Sequence, residues 1–211
     1  MQQLEIERIV LGEDALALLV NRVNDLESLS LPLAGELLAG RLMDWSQVPG
    51  SGLLGPVTVV MTDRASGTWD LLENHFFPGQ GVPRPAQIVA TQSEVLRRVA
   101  ASPGALGIVS IVAWRAPAAT TSAAAVTSGA AGWANGVAAE VQDPAVRCLS
   151  IAGVDAAGNA TVHALHQANV HRGLYPLHYP IYVFFDSRRS LATGFCAFLA
   201  SAPGQKRVLE A

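Results

Sequence analysis

The sequence predicts an α/β fold, and three features of its pattern carry that prediction. Short apolar, β-branched runs of strand length alternate with segments whose apolar residues recur at helical spacing, and turn residues punctuate the boundaries. Half of the 211 residues are hydrophobic and only 15% are charged, enough apolar material for one substantial core or two small ones. That balance excludes a disordered chain, which lacks the apolar surface needed to offset chain entropy.

Taken in order, Leu16 to Val20 is wholly apolar and reads as a buried strand, followed by turn chemistry over Asn21 to Asp25. Ser30 can cap a helix with Pro32 in its first turn, Leu33, Leu37 and Leu38 at helical spacing, and Gly40 just past its end. Irregular chain from Asp44 through the Pro49 to Gly52 turn cluster precedes a β-branched strand, Val57 to Met61. Thr62-Asp63-Arg64-Ala65-Ser66-Gly67-Thr68 then turns into a helix with Leu71, Leu72 and Phe76 on one face. Another helix is predicted over Gln92 to Ala101, with Val95, Leu96 and Val99 inward, and Ser102-Pro103-Gly104 closes it. A buried strand over Leu106 to Val112 follows, and this alternation predicts a largely parallel sheet.

The uncharged run from Ala116 to Ala139 is built of Ala, Thr, Ser and Gly, too poor in large side chains for a core or a membrane span. It reads as a surface excursion or a weak small-residue helix. Strand Arg147 to Ala152, a turn at Asp155 to Asn159 and Thr161 to Leu165 predict a hairpin. Beyond Tyr175-Pro176-Leu177 come a strand, Ile181 to Phe185, a helix from Ser187 to Leu199 with Leu191, Phe195, Phe198 and Leu199 at helical spacing, and a last helical pattern over Gly204 to Ala211.

Composition narrows the function classes. Fourteen Lys plus Arg against seventeen Asp plus Glu leave a formal charge of −3, with the basic residues scattered, which argues against a nucleic-acid partner. Met1 to Val10 lacks the uninterrupted apolar core of an export signal. Cys148 and Cys196 form no metal or redox spacing, and whether they pair is left open. His163, His166, His171 and His178 crowd one region but fit no ligand spacing, so no metal or cofactor is expected. Ser66 lacks the Gly-x-Ser-x-Gly elbow, Cys196 falls on an amphipathic helix, and nothing pairs a nucleophile with a base, so the chain is not read as an enzyme. Trp45, Trp69, Trp114 and Trp133 share no period and read as core or rim.

The most informative segment is Ser66-Gly67-Thr68. Placed where a strand becomes a helix, it offers two hydroxyls and several unpaired backbone N–H groups at the positive end of the helix dipole, which is an oxyanion cradle. An ordinary N-cap by Ser66 or Thr68 is the alternative. Arg64 nearby can pair with a bound oxyanion or simply be solvated.

In this order, Asp14 to Asn21, Gly40 to Ser46, Ser66-Gly67-Thr68, Ser102 to Gly107, Gly173 to Leu177, and Ala192 to Phe195 with Pro203-Gly204-Gln205 resemble the phosphate-binding proteins of ABC-type phosphate importers, which are periplasmic solute-binding proteins. The match covers nearly the whole chain except the Ala-rich run. It implies a type II periplasmic-binding-protein-like architecture in which two α/β lobes, joined by crossover strands, close over phosphate. Residues 1–20 would cross into the second lobe, residues 21–174 would form it with an insertion at 116–139, and residues 175–211 would return to the first lobe. The start of that first lobe is expected to be missing, leaving the two-lobe architecture incomplete. Ser66, Gly67 and Thr68 match the family's phosphate ligands. The family's arginine four residues before that serine is replaced by Thr62, with Arg64 the nearby substitute and Asp63 a local candidate to accept the phosphate proton. The resemblance further implies membrane subunits of an importer as partners and an extracytoplasmic location. The alternative is a one-lobed interaction or sensory scaffold that has lost its ligand and self-associates as a homodimer.

Overall fold

The computed structural model of the chain describes residues 5–63, 66–79, 86–115, 143–154 and 158–210. These fall into two compact units, one holding residues 5–14 and 179–210, the other the described residues from 15 to 178.

In the larger unit, β1 (Ile6–Asn21) contributes its C-terminal half to a sheet of order β4 (Ala86–Val89), β3 (Thr58–Thr62), β5 (Ala105–Ser110), β1, β6 (Val146–Cys148). Strand β3 runs parallel to β4 and β5, because α2 (Gly67–Phe76) and α3 (Gln92–Ala101) supply the crossovers between them. The predicted largely parallel sheet stops there. β1 pairs antiparallel with β5, Leu16 opposite Ser110 and Val20 opposite Leu106, and antiparallel with β6. The sheet is therefore mixed.

Residues Ala15 to Val20 are fully buried at the sheet centre, and Ala17 and Leu19 among them pack with Val60, Val95, Val99, Val109 and Trp114. Gly107 makes this packing possible: a Cβ there would overlap Val99 Cγ2 and stand 3.0 Å from Val95 Cγ1. Asn21 Nδ2 donates to the carbonyls of Val99 (3.0 Å) and Ala100 (2.9 Å), satisfying carbonyl groups that the end of α3 leaves without helical partners. Trp45, fully buried, donates its Nε1–H to Gly104 O at 2.9 Å.

Local signals set α1 (Leu31–Leu38), where Ser30 Oγ accepts from Leu33 N and Gly40 adopts φ 68° after the C-cap Ala39. Two strand expectations change. β5 ends at Ser110, whose Oγ accepts from Ala113 N and caps the short helix α4 (Ile111–Arg115), so Ile111 and Val112 are helical. The predicted strand Arg147 to Ala152 is two strands. Leu149 N donates to Leu18 O, then β7 (Ser150–Val154) leaves for a second sheet, parallel to β2 (Ser28–Ser30) and antiparallel to β8 (Ala160–His163). A run without Gly or Pro thus changes ladder partner at one residue. Helix α5 (Gln167–His171) follows, and Tyr175 Oη donates to Leu16 O at 2.8 Å.

In the smaller unit β9 (His178–Asp186) pairs with β1, whose N-terminal half extends ten residues before the predicted start at Leu16. Helices α6 (Ser190–Ala200) and α7 (Ala202–Glu210) pack against each other. Gly204 sits against the Phe198 carbonyl, leaving no room for a side chain. The stripe Leu191, Phe195 and Phe198 points outward, 86%, 59% and 47% exposed, and Cys196 is what α6 buries. The Ala-rich run 116–139 and Trp133 lie outside the described residues. Among the described residues no helix is long and apolar enough to cross a membrane.

Candidate functional site

Thr62 is the last residue of strand β3, Asp63 is exposed, and Ser66 occupies the N-cap position of α2 with extended backbone, φ −90° and ψ 138°. Gly67 and Thr68 open the helix. Arg64, the fourth residue of the sequence-derived site, lies outside the described residues.

Ser66 does not cap the helix with its side chain. The buried Thr62 hydroxyl donates to Ser66 Oγ at 2.7 Å, and Ser66 Oγ donates to Asp63 O at 2.9 Å, an oxygen that also accepts from Ser66 N at 3.1 Å. The serine hydroxyl is thereby fixed over the turn. Rotating its hydrogen away from Asp63 O turns it into a donor toward a ligand, with Thr62 still holding the oxygen. The N–H groups of Gly67 and Thr68 receive no acceptor among the described residues, and neither does the hydroxyl of Thr68, which is 3% exposed. Such a helix start, with unsatisfied donors at the positive dipole end, accommodates a tetrahedral oxyanion. Asp70 in the first turn offsets part of that dipole. Thr62 is the residue sequence reasoning undervalued: it registers there only as the position without an arginine.

The remaining candidates separate. His166 Nδ1 accepts from Ala168 N at the start of α5, and His178 Nδ1 meets Tyr175 O at 2.5 Å. Among the described residues no three His, Cys, Asp or Glu side chains gather as a metal site. Cys148 and Cys196 are free thiols. Burial pushes the Cys148 thiol up to about 12, so it stays protonated and unreactive near neutral pH. Trp45 and Trp114 are buried.

The sequence profile of the PBP superfamily domain matches residues 2–203. Among solved structures, an ABC-type phosphate transport receptor from Vibrio cholerae superposes with a TM-score of 0.70 at 20% identity, covering 99% of this chain and 72% of that one. A putative phosphate ABC transporter substrate-binding protein with bound phosphate from Clostridium perfringens gives 0.66 at 17% identity, over 97% of this chain and 69% of that one. A human phosphate binding apolipoprotein gives 0.65 at 14% identity, over 98% and 68%. Among curated proteins, Alkaline phosphatase L of Pseudomonas aeruginosa (strain UCBPP-PA14) is 54% identical over 35 residues, a match spanning 17% of this chain and 9% of that protein.

Proposed function

The chain belongs to the PBP superfamily, and we propose that within it this chain is a non-catalytic solute-binding domain that takes phosphate or a similar oxyanion at the start of α2. The observation that carries the reading is the pair of unengaged N–H groups of Gly67 and Thr68 beside the hydroxyls of Ser66 and Thr68. Structural neighbours of the same fold include a phosphate transport receptor, a putative phosphate transporter substrate-binding protein and a phosphate binding apolipoprotein. Gly67 admits the ligand close to the backbone, Ser66 and Thr68 donate hydroxyls, and Arg64 supplies charge. The lobe assignment drawn from the resemblance, with residues 21–174 as the second lobe, is supported by a division between units at Asp14/Ala15 and His178/Tyr179. On this reading the domain works outside the cytoplasm and hands its ligand to importer membrane subunits.

The non-catalytic part rests on the partners of Ser66 Oγ, which are Thr62 Oγ1 and Asp63 O rather than a histidine or carboxylate base. Isothermal titration with phosphate, sulfate as control, tests the whole proposal. Each hydrogen bond to a charged ligand contributes about 1.5–3 kcal/mol, so Ser66→Ala with Thr68→Ala should weaken phosphate binding by about 100-fold or more. Unchanged affinity in that variant contradicts the site.

One observation favours the scaffold reading as a second possibility: Ile6, Val10, Phe184, Leu191, Phe195 and Phe198 are all exposed in the smaller unit. Light scattering decides it. A stable homodimer that ignores phosphate favours the scaffold over the receptor.

A further inference from the structure

Strand β6 forms one edge of the mixed sheet, and beside it the larger unit holds a cavity of about 270 Å³. Its lining includes Arg22, Arg115 and Arg147, together with His166, Ser150 and the Trp114 ring, and among the described residues no carboxylate. These residues come from the end of β1, from α4, β6 and β7, and from the cap of α5. None belongs to the Ser66 site, and in the sheet β5 and β1 lie between β3 and β6.

Two guanidinium groups are anchored through the backbone rather than by acids. Arg22 Nε donates to Val146 O at 3.3 Å, and Arg147 Nη1 donates to Asp25 O at 3.2 Å and Leu26 O at 3.3 Å. Neither forms an ion pair among the described residues. Their remaining N–H groups are donors without a negative partner, held in place because one nitrogen of each fork is already engaged. His166 Nδ1 accepts from Ala168 N, which places the proton of the neutral ring on Nε2 and makes that nitrogen a donor. Cys148 in the wall stays a thiol. The cavity therefore presents positive charge, donors and a hydroxyl, and the Arg22 and Arg147 guanidiniums repel one another until an anion sits between them.

We propose that this cavity is a second anion site, taking a phosphate-class oxyanion, either free or carried on a small molecule, between the Arg22 and Arg147 forks. Several donors arriving from separate elements suit a tetrahedral, acceptor-rich group better than a planar one, and more than one positive charge suits a dianion. The volume is at the small end for ligand pockets, which fits a phosphate group with little attached.

The test uses the full chain carrying Ser66→Ala and Thr68→Ala, so that binding at the start of α2 does not interfere. Isothermal titration with inorganic phosphate, and separately with glycerol 3-phosphate, should show one saturable site with at least one of them, and the stronger of the two identifies the free or the esterified form. Removing one charge-assisted fork should weaken it by about tenfold or more, in Arg22→Gln and in Arg147→Gln alike. Arg147 also ties down the turn at Asp25 and Leu26, so circular dichroism accompanies each variant, and Arg22→Gln decides the matter if Arg147→Gln fails to fold. Absence of binding by either anion in the starting variant overturns the proposal. Binding that a folded Arg22→Gln variant leaves unchanged overturns it as well.

Discussion

Strand β1 is one continuous element in two environments. From Ala15 to Val20 it is at most 1% exposed, flanked by β5 and β6 and covered by α3, whereas Ile6 and Val10 in its other half are 56% and 52% exposed. Backbone pairing continues through both halves, so the ladder alone does not make a core. What differs is the layer of side chains brought against it: Val95, Val99 and Trp114 meet the C-terminal half. The smaller unit shows the same deficit on α6, where Leu191 and Phe195 face outward.

Truncations along β1 should expose that contrast most strongly. Leu19→Ala empties a site with no exposure and should cost about 3 kcal/mol, measured by chemical denaturation, while Val10→Ala should stay within about 0.5 kcal/mol. Equal costs would break the comparison. Next in size is Gly107→Ala, which drives a methyl into Val99 and should destabilise by about 1–3 kcal/mol in the same assay.

The smallest effect is electrostatic and has one representative in each unit. Hydrogen bonds from the Ser46 hydroxyl and backbone hold the Asp44 carboxyl below its ordinary value of 3.8, and the hydrogen bond from Arg188 does the same for Asp186. A lowered folded-state value contributes stability that is present above the unfolded value and lost as pH falls through the folded one. Asp44→Asn and Asp186→Asn should each therefore slightly lower stability near neutrality and flatten the acid limb of the stability curve below about pH 3.8, variant and parent converging at low pH, as followed by thermal melts across pH. The contrast sharpens if Asp44→Asn alters the main unfolding transition and Asp186→Asn only a separate, earlier one.

Helices were the most legible part of the fold, because their limits are written locally. Ser30, Pro32 and Gly40 bracket α1, and the pattern over Gln92 to Ala101 coincides with α3. Strand limits depend on partners that sequence does not display: the chain passes at Leu149 from β6 to β7 with no Gly or Pro to mark the change, and charged Glu7, Arg8 and Glu13 conceal the first half of β1. Ser110 carried a capping signal that the apolar run around it masked. In the candidate site, Ser66, Gly67 and Thr68 were readable from the strand-turn-helix setting. The Thr62–Ser66 hydrogen bond was not, since hydroxyl direction depends on the folded turn. The cavity beside β6 was also invisible, because Arg22, Arg115, Arg147 and His166 look scattered until four elements converge.

The central claim, oxyanion capture at the start of α2, is tested most directly by following backbone amide resonances of the labelled chain during a phosphate titration. Saturable downfield shifts of the Gly67 and Thr68 amides, abolished together by Ser66→Ala with Thr68→Ala, are the predicted result. Amides at Gly67 and Thr68 that stay still through saturating phosphate would contradict it.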